Sequence, residues 1–538
     1  MAATYHHQPS PIPEFPSTPP PPPPPPTEPR ELYRPGGYHP IPALPHALND
    51  EYRLIHKLAF DAASTTWLAV RTRKSASAVK SESGSTSNTS IGSASSSSSS
   101  SSAELVEIKL LTADSSKTSR EVDVLKKLCP RRSGAKKKKS FKERLLCGLR
   151  KSGPQILVQE FIDQFYIDGP NGRHLCIAME PLGPSVADVQ RLVGGPLPPR
   201  VVRATVVSVV KTVEAIHAKG AVHCGLSSTS PRFHIPHFST WTPHDILARI
   251  GQPEPHPFTT IFNPSTKPTA HTPPSLFPPA SLSLLWPHCI DEHDYTSIRL
   301  TTCTHSFLLP SPPTATLPTL LRTAYESSVT AALTHHPTLG LALDSDLSTI
   351  PIPAPEVLLA AQNQRPGRIT QDADVFSLGC ALYAILGGVA LFVPASVSPS
   401  VSPPSSSPSS GSSSSVSSPS SNNGGLTPTD LLLAALTRAL GRPPQELYKS
   451  WRHRTRFFTD YGEDGLLEAD GIPRCTGLEG RWEELIVTDG QNREVGLGPG
   501  EVAEVERMVG VMVAWEGRCK GREVGRMLPR SWVLEQER

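Results

Sequence analysis

The stretch DGPNGRHLCIAMEPLGPSV, residues 168–186, decides the predicted fold of this 538-residue chain. Its first residues, DGPNG, are of the types that supply the backbone conformations of tight turns. Apolar and β-forming residues precede and follow this turn, so the sequence predicts two strands joined by it. The stretch then runs on toward a helical pattern and therefore marks the border between a strand-rich part and a helix-rich part.

The sequence upstream of this border predicts more strands and one helix. Residues 51–73, EYRLIHKLAFDAASTTWLAVRTR, predict a hairpin, and residues 104–113, ELVEIKLLTA, predict a third strand. Residues 115–128, SSKTSREVDVLKKL, predict a helix capped by its Ser/Thr cluster. One face of that helix would carry the apolar residues Val122, Leu125 and Leu128.

The sequence downstream is mainly helical. Residues 200–219 predict a helix that ends at Gly220, and a nearly all-apolar helix follows Asp374. The first helix has a valine-rich stripe, consisting of Val202, Val206, Val209, Val210, Val213 and Ile216. Further helical stretches cover 429–440 and 501–515. Strands followed by helices define an α+β fold, and ligands favour the cleft between two such parts.

Several segments have compositions that cannot build a core. They are a Pro-rich tail (1–48), a Ser tract (75–102), a basic segment (130–152), a Ser/Pro tract (393–425) and a short C-terminal tail (533–538). The proline run favours an extended polyproline II conformation. It would either bind an aromatic-grooved adaptor domain or remain a solvated tail. The basic segment is a nuclear-import signal, a patch for an acidic partner or a solvated loop.

Charge and cysteine content limit the classes of partner. The net charge of +3 is too small to indicate direct nucleic-acid binding. Nine cysteines without a CxxC pair indicate reduced thiols in an intracellular protein, in the cytoplasm, the nucleus or both. We expect no secretory signal and no membrane span, because the first residues are not basic and apolar and no apolar run is long enough.

The order of these elements resembles a eukaryotic protein kinase, and more narrowly the SR-protein kinase (SRPK) family in the divergent form that fungi carry. The resemblance covers about residues 51–532 without the insertions. The quoted stretch is similar to the family's strand-hinge segment, and EYRLIHKLAFDAASTTWLA is similar to its first strands. Three further stretches resemble its C-terminal lobe: APEVLL (354–359), DADVFSLGCALYAILGG (372–388) and LTRALGRPPQELYKSWRHRTRFF (436–458). The resemblance implies a two-lobed fold, with an N-lobe at 51–183 and a C-lobe at 184–532.

The same resemblance implies an ATP site between the lobes, with Mg²⁺. Lys109 and Glu121 would form the family's lysine–glutamate ion pair. Nucleotide contacts would also come from Glu180 and Leu182 in the strand-hinge segment.

Two features of that site are changed. The first two glycines of the family's phosphate-covering loop fall on Ala59 and Asp61, and Asp61 would repel phosphate. The apolar residue above the adenine ring is replaced by Glu107, whose carboxylate would have to be desolvated or swing out unless the strand is shifted by one residue.

The catalytic loop is also changed. AVHCGLSSTSPRF (221–233) aligns with the family's H-x-D-L-x-x-x-N-I-L and keeps His223 and Leu226. The catalytic aspartate falls on Gly225 and the metal-binding asparagine on Ser230. Glycine offers no carboxylate, and a positioned base contributes roughly 10²–10⁴ in rate.

The metal-binding D-F-G motif falls on Thr302, Cys303 and Thr304 within IRLTTCTHSFLL (298–309). Threonine is a poor substitute for a carboxylate ligand of a hard cation. Asp344 and Asp346 are the alternative metal ligands.

Residues that would support the fold are kept. Glu356 resembles a glutamate that pairs with a late arginine, for which Arg518 is the candidate. Asp374 resembles the helix aspartate that holds the backbone of the catalytic loop.

Four interpretations follow, and whether the chain is an enzyme stays open. The first is a catalytically impaired pseudokinase that acts as a scaffold or regulator through protein partners. The second is an active serine/threonine kinase that uses ATP, Mg²⁺ and displaced metal ligands on serines of Arg/Ser-rich proteins. The third is an interaction hub made of the Pro and Ser tracts, and the fourth is a faulty gene model across 223–305.

Overall fold

A computed structural model of the chain shows the fold. It describes residues 27–73, 102–129, 156–257, 269–290, 297–301, 306–309, 349, 351–363, 370–392, 427–460, 466–468, 478–483, 485 and 496–537. The Ser tract, the basic segment and the Ser/Pro tract of the sequence analysis lie outside these residues, apart from single boundary positions.

Six antiparallel strands form the main sheet. The strands are β1 (His46–Ala47), β2 (Tyr52–Asp61), β3 (Ser64–Arg73), β4 (Ser102–Leu111), β5 (Phe161–Gly169) and β6 (Gly172–Met179). Their spatial order is β1–β2–β3–β4–β6–β5. The predicted hairpin at 51–73, the third strand and the strand pair around DGPNG are all confirmed.

Two short helices follow β4 where the sequence predicts one. They are α1 (Ala113–Thr118) and α2 (Glu121–Leu128). The helix is interrupted because Ser119 adopts an extended conformation, with φ −58° and ψ 133°. The hydroxyl of Thr112 caps α1, and Ser119 Oγ accepts a hydrogen bond from the amide of Glu121 at the start of α2. The predicted apolar face of α2 is buried.

Ten further α-helices and eight short strands follow in the described chain, joined by loops and 3-10 helices. The helices are α3 (Val186–Val193), α4 (Pro199–Ala218), α5 (Pro243–Ile250), α6 (Pro355–Gln362), α7 (Gln371–Gly387), α8 (Pro428–Leu440), α9 (Gln445–Ser450), α10 (Leu478–Glu483), α11 (Pro499–Val513) and α12 (Arg530–Glu537). The strands are β7 (Ala221–Val222), β8 (Pro231–Phe233), β9 (His256–Pro257), β10 (Ser275–Leu276), β11 (Ile298–Leu300), β12 (Phe307–Leu308), β13 (Phe458–Asp460) and β14 (Leu466–Glu468).

The α+β class is confirmed, and the long predicted helices are present. Helix α4 has proline at its first position and is followed by Gly220 with φ 71°, a conformation that favours glycine. Helix α7 begins at Gln371, three residues before Asp374, and is buried from Ala373 to Leu386. No helix among the described residues is long and apolar enough to cross a membrane.

The two faces of the sheet pack against different layers. On β4, Leu105 and Leu111 belong to a large core that also includes α4, α7 and α11. The alternate residues Val106, Ile108 and Leu110 belong to a smaller cluster on the opposite face. Glu107 and Lys109 share the first of these faces, since side chains alternate along a strand.

Residues 27–48 cover the second face, although the sequence analysis assigns them to a disordered tail. Tyr38 and Ile41 are buried, and the Tyr38 hydroxyl donates to the carbonyl oxygen of Asp61. The tail boundary is therefore corrected. These residues have aromatic and aliphatic side chains that the sheet can bury, unlike the proline run before them. At the other end, α12 extends through Glu537, so the predicted tail at 533–538 is largely helical.

Candidate functional site

The predicted lysine–glutamate pair is present between β4 and α2. Lys109 Nζ lies 2.9 and 2.8 Å from the two carboxylate oxygens of Glu121. Both side chains are buried. The ion pair links the sheet to the first turn of α2, where a negative charge is favourable.

The turn between β2 and β3, which the resemblance would place over phosphate, is stabilised by hydrogen bonds within the turn itself. The Asp61 carboxylate accepts from the amide of Ala63 at 2.7 Å and from the hydroxyl of Ser64 at 3.1 Å. Ala59 is exposed on β2, beside an irregularity in the strand register. Asp61 thus stabilises the β2–β3 turn, a role that its sequence position did not reveal.

Of the two alternatives for Glu107, a desolvated carboxylate or one that swings out, the structure has the first, and the carboxylate is paired. Its carboxylate is buried and accepts two hydrogen bonds from Arg232 Nη1, at 2.7 and 2.9 Å. The guanidinium of Arg232 also donates to the carbonyl oxygens of Leu182 at 2.9 Å and Gly183 at 3.0 Å. Arg232 on β8 therefore joins β4 to the segment that connects the sheet to the helices.

The connecting segment, residues 180–185, has several further backbone groups in hydrogen bonds. The amide of Glu180 donates to Glu160, and its carbonyl accepts from the buried Gln159 side chain at 2.8 Å. The amide of Gly183 donates to the carbonyl of Phe233 at 2.8 Å. Leu182 is fully buried. At the two predicted nucleotide-contact residues, both backbone groups of Glu180 and the carbonyl of Leu182 thus have partners within the protein.

The side chain of Glu180 faces the guanidinium of Arg299 at the edge of this segment. Burial raises the pKa of the Glu180 carboxyl, although a hydrogen bond from the Glu160 amide and the charge of Arg299 act to lower it. Arg299 Nε lies 3.4 Å from Glu180 Oε1.

Asp374 holds the backbone of the 221–233 loop, as the sequence predicts. Its carboxylate accepts from the amides of His223 at 2.7 Å and Cys224 at 2.9 Å, and lies 2.9 Å from Nε2 of His217. Burial acts to raise the pKa of Asp374, but hydrogen bonds and charge from His217 and His223 outweigh it and lower the pKa. The hydrogen bond from its amide to Asp374 also holds the backbone of Cys224, whose φ of 59° lies in the left-handed region.

The two substituted positions of this loop contact each other. The Ser230 hydroxyl donates to the carbonyl of Gly225 at 2.8 Å and accepts from the amide of Ser227 at 3.1 Å. Gly225 contributes no side chain. The Ser230 hydroxyl is therefore used in hydrogen bonds to the backbone of the same loop.

The strand that would lead into the metal-binding motif lies beside this loop. The amide of Thr301 donates to the carbonyl of Ser230 at 2.9 Å, and its carbonyl lies 2.7 Å from His223 Nε2. Thr302, like Asp344 and Asp346, lies outside the described residues. Among the residues that the structure describes, no group of three or more His, Cys, Asp or Glu side chains could hold a metal ion.

The predicted partner of Glu356 is also present. Arg518 donates through Nη1 and Nη2 to the two carboxylate oxygens of Glu356, at 2.6 and 3.2 Å. Its guanidinium also lies 4.9 Å from the ring centre of Phe376 on α7. The contact ties the region after α11 to the start of α6.

Sequence reasoning missed Arg232 and Gln159. A signal for Arg232 was present, because the motif H-x-D-L-x-x-x-N-I-L has leucine at this position. Glu107 and Arg232, two charges of opposite sign, thus lie at positions that the resemblance aligns with apolar residues. Gln159 carried no comparable signal.

In comparisons with known proteins, no family model and no curated protein matches this chain.

Proposed function

We propose that this protein has a two-lobed protein-kinase-like fold and acts by binding other proteins, as a scaffold or regulator, without transferring phosphate. Three contacts that the resemblance implies support the fold, since each lies at the expected place. They are Lys109–Glu121, Asp374 with the 223–224 backbone, and Glu356–Arg518.

The loop held by Asp374 carries the proposal about function. Asp374 fixes the backbone at 223–224, and the next residue, at the position of the family's catalytic base, is Gly225. A loop that is held in place but has no carboxylate can support the fold, whereas it cannot orient a substrate hydroxyl. The loss of a base alone reduces the rate by roughly 10²–10⁴.

An active serine/threonine kinase with displaced metal ligands is the second candidate. The Lys109–Glu121 pair favours it, because phosphoryl transfer in kinases requires this pair. The substrate would then be serine in Arg/Ser-rich proteins, with ATP and Mg²⁺. The hub interpretation has its support in composition alone, since its tracts lie largely outside the described residues.

A phosphotransfer assay distinguishes the two main candidates. The full chain is incubated with labelled ATP, Mg²⁺ and an Arg/Ser-rich peptide, beside the variants Lys109→Ala and Lys117→Ala. Lys117 is exposed and serves as the matched control. We expect no incorporation by any of the three proteins. Incorporation that Lys109→Ala abolishes and Lys117→Ala retains would contradict the proposal.

A further inference from the structure

We infer that the Arg232–Glu107 ion pair fills the space between β4 and the connecting segment, residues 180–185, and excludes adenine nucleotides from it. The inference rests on the proposed function, because the resemblance assigns the adenine position to Glu107, Glu180 and Leu182. It goes further in naming the residues that fill this position and the class of ligand that they exclude.

The position of Arg232 is the first step. It reaches from β8 to the carboxylate on β4 and to the carbonyls of Leu182 and Gly183, with four contacts of 2.7–3.0 Å. A planar ligand placed between β4 and this connecting segment would occupy the same space as the guanidinium. The side chain of Arg232 is 13% exposed and that of Glu107 is 3% exposed.

The second step is the cost of displacement. Hydrogen bonds to charged groups are the stronger ones, and a buried charge that loses its partner carries an unpaid desolvation cost. A ligand that displaced Arg232 would leave Glu107 buried on β4 and the two carbonyls without their donor. Removing one partner of a buried ion pair is strongly unfavourable, so an entering base would have to compensate for this loss.

The third step is that, while Arg232 is in place, most polar backbone groups of the connecting segment near this position already have partners. The carbonyl of Glu180 is bonded to Gln159, and those of Leu182 and Gly183 are bonded to Arg232. Pro181 has no amide hydrogen, and the amide of Gly183 is bonded to Phe233. These groups would otherwise recognise the edge of a base.

The test replaces the ion pair with apolar residues. Replacing a buried ion pair by apolar residues is often neutral for stability, so Glu107→Val/Arg232→Leu is the main variant of the full chain. Isothermal titration measures its binding of adenosine and of ATP, with and without Mg²⁺. We expect no measurable binding by the unaltered protein, and binding of adenosine by the variant that is at least about tenfold tighter than the weakest affinity the titration detects.

The matched control removes an ion pair that lies away from the cleft. Arg71 Nε contacts Glu51 at the start of the β2–β3 hairpin, so Glu51→Val/Arg71→Leu should leave adenosine binding as weak as in the unaltered protein. Arg232→Lys is the second variant. It keeps a positive charge beside Glu107 but lacks the planar fork that reaches both carbonyls, and we expect a smaller increase in adenosine affinity.

Two results would overturn the inference. One is adenosine or ATP binding by the unaltered protein as tight as in the double variant. The other is the absence of any increase in affinity in both Arg232 variants when circular dichroism shows at least one of them folded. Either result leaves the proposed function standing if no phosphate is transferred, whereas phosphate transfer by the unaltered protein contradicts the proposed function itself.

Discussion

Lys109 Nζ lies 2.8 Å from Glu121 Oε2, and both side chains are buried between the sheet and α2. Breaking a buried pair by removing one partner costs about 3–5 kcal/mol. We therefore expect Lys109→Met to lower the free energy of unfolding by about that amount, measured by urea denaturation. The apolar double variant Lys109→Met/Glu121→Leu should recover most of the loss.

The exposed pair of Lys117 and Asp114 is the control, because exposed ion pairs contribute about 0–1 kcal/mol. If Lys109→Met unfolds as easily as Lys117→Met does, the buried pair does not stabilise the protein.

Asp374 stabilises the loop at 223–224 through its charge. Asp374→Asn should lower the free energy of unfolding by about 3 kcal/mol at neutral pH, because the amide keeps one acceptor oxygen and loses the charge. The folded pKa of Asp374 lies below the usual 3.8, so its contribution is present above pH 3.8 and is lost as the pH falls through the folded value.

The difference between the unaltered protein and Asp374→Asn should accordingly shrink in acid. Denaturation at a series of pH values measures it. Asp372, exposed on the first turn of the same helix, gives the control Asp372→Asn. A difference that stays constant down to pH values well below 3.8 would show that the Asp374 charge makes no contribution.

A second pH dependence should come from His39 in the segment that covers the sheet. Burial, followed by the charges of His174 and His46, lowers the pKa of His39 to about 4 from the usual 6.5. The unfolded chain then takes up a proton more readily than the folded one, so stability is full above pH 6.5 and falls as the pH drops toward 4.

The slope from one such group reaches at most about 1.4 kcal/mol per pH unit. His39→Phe should flatten the decline in the free energy of unfolding between pH 6.5 and 4, as followed by denaturation at each pH. An unchanged slope would mean that the pKa of His39 is not lowered by folding.

The corrected tail boundary predicts different outcomes for two truncations. Deleting residues 1–26 should leave the melting temperature unchanged. Deleting 1–48 should lower the free energy of unfolding by about 3 kcal/mol or more, because it removes Ile41 from the apolar cluster on the sheet and the buried Tyr38 with its hydrogen bond to Asp61. Calorimetry compares the two proteins, and equal melting temperatures would contradict the packing of residues 27–48.

Local patterns were sufficient to predict most strands and the long helices, and the resemblance implied three long-range contacts. Lys109, Asp374 and Glu356 each lie in a short stretch that resembles the family. The group that each of them contacts also lies at a position that the resemblance identifies, so both sides of each contact could be named in advance. The border at 168–186 was also predictable, because turn residues and flanking β-formers are local signals.

What could not be predicted depends on contacts that no short motif contains. The bond from Arg232 to Glu107 joins strands that are 125 residues apart. The interruption of the helix at Ser119 reflects competition between capping side chains and helix propagation, which a count of apolar positions does not register. The packing of residues 27–48 depends on an apolar face of the main sheet, and that face is built from strands that lie later in the sequence.

A thermal-shift titration of the full chain with ATP, with and without Mg²⁺, tests the central claim most directly. A ligand that binds only the folded state raises the melting temperature by mass action. We predict no shift at millimolar ATP under either condition. A Mg²⁺-dependent increase that is lost in Lys109→Ala would contradict the account and show that the protein binds metal and nucleotide.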